Sequence, residues 1–244
     1  MEKISQKTAK EYISRIGVTG INLDGYLYAN PNTSECFSDK NTSGLLIRDG
    51  NHCQLHSQNK EFLKEAYDFV SFGTMLGCVE HGAAKFLRDC CGAQYDEYCH
   101  ILSYTKPTAP SFEKPQNLTL KAIGLKDLDI IDGYYTYRGP ESKARLFKEI
   151  TSRPSSALYD GDKIIAWNLL HSDMSMGVMF VPPEHRGKGY AYVVAADLIS
   201  KVLAMGKTPY IQVVNGNTAS LSLAAKLGFE KIFEACWLHK EQTV

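Results

Sequence analysis

The chain has 244 residues, and its 27 Lys and Arg balance 27 Asp and Glu for a formal net charge of zero. At 44% hydrophobic and 22% charged it has the composition of an ordinary globular protein, long enough for one large domain or two small ones. Neutrality argues against nucleic acid as a partner, because a binder of phosphate polymers needs surplus cations to displace counterions.

The first element predicted is a helix carrying Ile4, Tyr12, Ile13 and Ile16 and ended by Gly17. Residues 20–43, rich in Asn, Asp, Ser, Thr and Gly, read as loop. GLLIR-DG-NHCQLH reads as a hairpin turning at Asp49-Gly50. A helix over 59–71, the strand TMLGCV, a helix over 80–91 and the strand EYCHILSY follow. The next stretch, Lys106-PTAPSFEKP-Gln116, holds three prolines, which remove donors and favour extended backbone. It reads as a linker dividing a domain of residues 1–111 from one of 112–244.

Beyond it come the strand LTLKAI, helices over about 125–137 and 140–151, and three strands, SSALYD, KIIAWNLLH and MSMGVMFV. A long helix over about 189–205 stops at Gly206. The strand TPYIQVV, the helix TASLSLAAKLG and the strand KIFEACWLH complete the chain. An antiparallel run followed by alternating strand and helix is an α+β pattern.

The segment richest in chemistry is MFVPPEHRGKGYAYVVAADLISKVLAMG, residues 179–206. Pro182-Pro183 cannot continue a strand ladder. Arg186-Gly187-Lys188-Gly189-Tyr190-Ala191 then opens an apolar helix. Glycines let backbone amides approach a ligand, and a helix start adds unpaired donors and a positive dipole end. The combination reads as a phosphate cradle. It is neither a Walker A loop nor a dinucleotide fingerprint.

Here the sequence resembles the GNAT superfamily of CoA-dependent N-acyltransferases. Its [Q/R]-x-x-G-x-[G/A] motif is matched by Arg186, Gly189 and Ala191. Its N-x-x-[A/S]-x-x-L-x-x-K-x-G-F signature is matched by Asn217, Ser220, Leu223, Lys226, Gly228 and Phe229. The match covers residues 117–244, and WNLLHSDMSMGVMFVPPEHRGKGYAYVV with Trp237-Leu238 is similar to the glycine N-acyltransferase-like branch. The resemblance implies a GNAT fold, a central mixed, splayed sheet flanked by helices. It is preceded by a smaller α+β domain that in such proteins can be a degenerate GNAT-like copy. Residues 44–105 lack the motif, so one CoA site is expected, in the C-terminal half.

The resemblance further implies acetyl-CoA as co-substrate and a small-molecule amine or amino acid as acceptor, joined by direct attack on the thioester. It places main-chain contacts to the cofactor at Met179, Phe180 and Val181, and pyrophosphate contacts at Arg186, Gly187, Lys188, Gly189, Tyr190 and Ala191. It gives Asn217 and Ser220 further contacts and the backbone N–H of Met179 the oxyanion. Asn217 alternatively serves as a helix N-cap, and Tyr190 as packing. The chain departs from the family at Ala224, where a tyrosine often protonates the departing thiolate, and in lacking a carboxylate on MSMGVMFV. His171 and Asp173, at a strand turn, are the candidate bases, with a turn role as the alternative for each. A CoA-binding sensor without turnover is the alternative to an enzyme.

No metal is expected. His52, Cys53, His56, Cys78, His81, Cys90, Cys91, Cys99 and His100 crowd the first half, but without convergent zinc-ligand spacing. Small buried cysteines and surface histidines explain them better. Cys236, beside Trp237, reads as core. No apolar run approaches the roughly 20 residues of a bilayer span, so no membrane association is expected. The N-terminus lacks a signal peptide's hydrophobic segment, and seven cysteines suit a reduced, cytoplasmic setting.

Overall fold

The computed structural model of the chain describes residues 1–241. The chain divides into two compact units. Unit 1 takes Met1–Leu102, Gln212–Asn217 and the segment from Lys231; unit 2 takes Ser103–Ile211 and Thr218–Glu230. Compactness thus divides the chain differently from a single cut at residue 112. The proline-rich stretch itself lies in a segment with neither helix nor strand.

The first half of the sequence runs β1 (Glu2–Ile4), α1 (Gln6–Ile16), α2 (Ile21–Ala29), β2 (Glu35–Ser38), β3 (Gly44–Asp49), β4 (His52–Ser57), α3 (Lys60–Phe69), β5 (Met75–Glu80), α4 (His81–Cys91) and β6 (Gln94–Ser103). The second half runs β7 (Thr119–Lys121), α5 (Leu128–Tyr134), α6 (Ser142–Ser152), β8 (Ser155–Asp160), β9 (Lys163–Leu170), β10 (Met176–Phe180), α7 (Tyr190–Ala204), β11 (Tyr210–Val214), α8 (Thr218–Leu227) and β12 (Glu230–His239). Short 3₁₀ turns aside, the two halves repeat one order of elements, β-α-α-β-β-β-α-β-α-β.

In unit 1, Ser5 caps α1 by accepting from the Thr8 amide, and Gly17 ends it at a φ of 63°. The predicted loop at 20–43 is corrected: it contains α2 and β2. Its polar composition misleads because Asn22, 2% exposed, donates its Nδ2 to Gln54 Oε1 at 2.8 Å. That partner stands 32 residues away, and a satisfied buried amide is tolerated inside a packed helix. The hairpin turn is also shifted by one, since Asp49 pairs with His52 and leaves Gly50-Asn51 as the loop.

Strand order in the larger sheet is β1-β2-β3-β4-β5-β12-β6-β11. β12, the last strand of the chain, pairs antiparallel with β5 and buries Cys236 and Leu238 beside Leu46, Phe62, Leu76 and Val79. β4 and β5 pair in parallel, through His52, Cys53 and Gln54.

Unit 2 is built on an antiparallel sheet ordered β10-β9-β8-β7. One face packs Trp167 and Leu169 against Ile131, Leu146 and Ile150 of α5 and α6. The other packs Leu158 and Ala166 against Val193 and Val194 of α7. β8 and β9 alternate between these covered faces, which explains the nearly continuous apolar reading of KIIAWNLL.

Candidate functional site

Strand β10 ends the sheet of unit 2: it pairs with β9 and has no second strand partner in that sheet. Its ladder breaks in the middle. Met176 and Gly177 face Leu170 and Leu169, but Phe180 faces Trp167, so β10 has one residue more than β9 between those pairs. Val178 takes a φ of 51° in this bulge. For a β-branched residue that conformation costs of order 1–3 kcal/mol, and bulges of this kind redirect backbone groups beside sites. The interruption falls at Val178-Met179, where the family resemblance implies the oxyanion amide.

After Phe180 the chain turns at Pro183 and reaches Gly187 and Gly189, whose φ values are 75° and 77°. A Cβ on either would meet nothing within 4 Å, so the loop faces open space. Gly189 precedes α7, and among the described residues no side chain caps that helix. The first amides of α7 therefore point into the space above the glycines, with Lys188 exposed beside them. Arg186 is anchored, its Nε donating to the Val181 carbonyl at 3.0 Å and its guanidinium lying 5.5 Å from the Phe180 ring centre. Tyr190 packs against the core under α7, which fits its packing alternative.

His171 and Asp173 close the β9–β10 hairpin, where the His171 amide donates to Ser175 O at 2.9 Å. Asp173 Oδ1 accepts from the Ser175 amide at 2.9 Å and the Ser175 hydroxyl at 2.6 Å. These bonds fix the turn and give Asp173 a structural task. His171 differs: its Nδ1 lies 3.2 Å from Glu149 Oε1. Its other nitrogen lies over β10, because a Cβ built on Gly177 would fall 2.3 Å from Nε2. Burial favours the neutral imidazole, but the hydrogen bond and charge of Glu149, with the charge of Asp173, outweigh it and raise the pKa above the ordinary histidine value.

Sequence reasoning missed Glu149 and Gly177. Glu149 is 1% exposed and its Oε2 has no hydrogen-bond partner. Its signal was present: it stands on the buried stripe of α6 with Ser142, Leu146 and Ile150. An acid on an apolar stripe calls for a partner, and here the partner is His171. Farther along β10, Phe180 stacks on Tyr134 with ring centres 4.5 Å apart and lies 5.4 Å from Trp167.

Asn217 is exposed immediately before α8, in the segment that belongs to unit 1, and Ser220 lies within that helix. Ala224, where the resemblance implies a tyrosine, is buried at 1% exposed. Cys36, Cys53, Cys78, Cys99 and Cys236 are buried. Burial pushes the thiol of Cys53 up to about 12 and that of Cys236 to about 11, which leaves both inert at neutral pH. Among the described residues no helix is long and apolar enough to cross a membrane.

The FR47-like protein family matches residues 155–238, from β8 into β12. No curated protein matches the sequence. Among solved structures, a protein from Drosophila is similar over 98% of this chain and 97% of its own, at 14% identity and a TM-score of 0.80. A GCN5-related N-acetyltransferase from Kribbella flavida is similar over 93% of this chain and 95% of its own, at 11% identity and a TM-score of 0.64. An acetyltransferase of the GNAT family from Colwellia psychrerythraea is similar over 99% of both chains, at 14% identity and a TM-score of 0.57. At such identities the likeness is one of fold, and it extends over both halves rather than over residues 117–244 alone. The chain has the GNAT fold, and its second half carries the FR47-like segment.

Proposed function

We propose that the protein is an N-acyltransferase that uses acetyl-CoA to acylate a primary amine of a small molecule or amino acid in the cytoplasm. The observation that carries this reading is the uncapped start of α7 behind two left-handed glycines, at the end of the edge strand β10. These groups suit a pyrophosphate: helix-start amides with no side-chain cap, a positive helix end, and open space beside the glycines. Gly187, Lys188, Gly189 and the α7 amides would hold it. Met179, Phe180 and Val181 would offer main-chain groups to the pantetheine arm, with Asn217 and Ser220 as further contacts.

Acetyl-CoA supplies an acyl group activated as a thioester. The chain's own part is to deliver a neutral amine and to steady developing charge. His171 Nε2, over β10 at Gly177, accepts the proton that the amine must lose. Glu149 holds the ring through Nδ1 and stabilises the imidazolium. The amide of Met179 donates to the oxyanion, an interaction worth about 3–4 kcal/mol in comparable sites. With Ala224 in place of a hydroxyl, the thiolate leaves without an acid, which a thiol pKa near 8.5 tolerates. Tyr134, exposed and stacked on Phe180, would offer an apolar surface to the acceptor's carbon skeleton.

A panel of amines with acetyl-CoA, read by free thiol release, tests the reading. Amine-dependent release is expected, and it should fall at least about tenfold in the Gly189→Glu variant. The buried Ala224 favours one other reading, a CoA-binding module without turnover. CoA binding with no amine-stimulated release across the panel would establish that module and overturn the enzyme.

A further inference from the structure

The first half of the sequence repeats the element order of the second, yet where the second half has its glycine loop, the first has a two-residue connection, Gln58-Asn59, between β4 and α3. Asn59 Oδ1 accepts from the Glu61 amide at 2.8 Å and the Phe62 amide at 3.3 Å, so the start of α3 is already satisfied. Nothing there suits a pyrophosphate. What unit 1 holds instead is a cavity of about 500 Å³, within the range of small-molecule sites.

The cavity arises from the sheet. β4 and β5 stay in register only through Gln54 and Gly77. Beyond that point Leu55, His56 and Ser57 on one strand and Cys78 and Glu80 on the other line the opening. Cys78, at a φ of 55°, sits where β5 slips against β12. α1 and α2 close the cavity with Tyr12, Arg15 and Asn22. Behind Asn22, its amide partner Gln54 fits because Gly77 has no Cβ, which would fall 2.6 Å from Gln54 Nε2.

The lining carries one full cation and one full anion. Arg15 donates one Nη2 bond to Thr42 O at 2.7 Å, leaving its other N–H groups for a ligand. Glu80 accepts from the Gly82 and Ala83 amides at 3.0 and 3.2 Å, and its oxygens retain lone pairs. His56 sits between these in chemistry: its Nδ1 lies 2.8 Å from the Tyr12 hydroxyl. Burial lowers its pKa against the pull of Glu80, favouring the neutral ring. Arg15 and Glu80 are both solvent-exposed, so a singly charged ligand pairs with one of them and leaves the other to water. A ligand with both charges satisfies both.

We infer that this cavity binds a small zwitterion, with its carboxylate on Arg15 and its ammonium on Glu80. The inference rests on unit 1 alone and is independent of acyl transfer in unit 2.

Calorimetric titration of the full chain, without CoA, tests it with glycine, β-alanine, γ-aminobutyrate and L-serine as probes and with acetate and methylammonium as single-charge controls. At least one zwitterion is expected to bind with a Kd below about 1 mM, and the controls at least tenfold more weakly. Arg15→Met and Glu80→Gln should each weaken that zwitterion at least about tenfold, with circular dichroism confirming that both variants are folded. No heat from any zwitterion at about 10 mM, or acetate binding as tightly, would overturn the inference. So would binding that survives Arg15→Met but is lost in His171→Ala, since that pattern belongs to unit 2.

Discussion

His171 is the side chain whose surroundings specify its chemistry most fully. Its folded pKa lies above the ordinary value of about 6.5, because Glu149 and Asp173 outweigh burial. As a base it must be neutral, so kcat/KM should rise with pH through an inflection above about 6.5. Glu149→Gln retains an acceptor for Nδ1 but removes the charge, and the inflection should move to lower pH. His171→Ala should lower kcat by about 10²–10⁴ and abolish the inflection. The stability linkage has a definite sign. A histidine with a raised folded pKa stabilises fully below its unfolded pKa, and that contribution disappears as pH rises through the folded value. Chemical denaturation should therefore find Glu149→Gln most destabilised relative to wild type below about pH 6.5, with the gap narrowing toward pH 9. An inflection unmoved by Glu149→Gln would remove Glu149 from this role.

At the scale of the element, the β9–β10 hairpin sets the His171 ring against a strand position that has no side chain. Gly177 is where the imidazole rests on the strand, and an alanine Cβ there would lie 2.3 Å from His171 Nε2. The ring is held from behind by Glu149, so it cannot move without losing that bond. Gly177→Ala should cost nearly as much kcat as His171→Ala and leave CoA affinity unchanged. In a His171→Ala background it should cost little, a non-additivity that a double-mutant cycle measures. Full additivity would mean that Gly177 acts through something other than the imidazole. This hairpin also separates what the sequence discloses from what it hides. The glycine turn at Gly187 and Gly189 was legible because strand, glycines and helix start are consecutive in the chain. Glu149 and His171 stand 22 residues apart and meet only through packing of α6 on β9. The register slip at Val178 depends on pairing, which composition does not encode.

For the whole molecule, the hidden feature is the place of β12. Its residues read correctly as a strand, but alternation fixes only which side chains share a face, not which strand lies beside it. In the structure it lies between β5 and β6 in the sheet of unit 1. The core of that unit therefore includes Cys236 and Leu238, at the far end of the chain. A fragment of residues 1–111 lacks those side chains and the ladder along β5. Losing one large buried aliphatic side chain costs about 2–5 kcal/mol, against a total stability of about 5–15 kcal/mol for a domain. With the β5 ladder lost as well, the fragment should show no cooperative thermal transition by circular dichroism and should bind a hydrophobic dye. Appending residues 231–241 through a flexible linker should restore the transition, because the strand needs proximity to β5 rather than its native connection. The same appended strand returns Phe233 to the wall of the unit 1 cavity. A fragment of residues 1–111 that melts cooperatively without β12 would show that the strand decorates the sheet, and the repeated element order would then describe two independently folding halves.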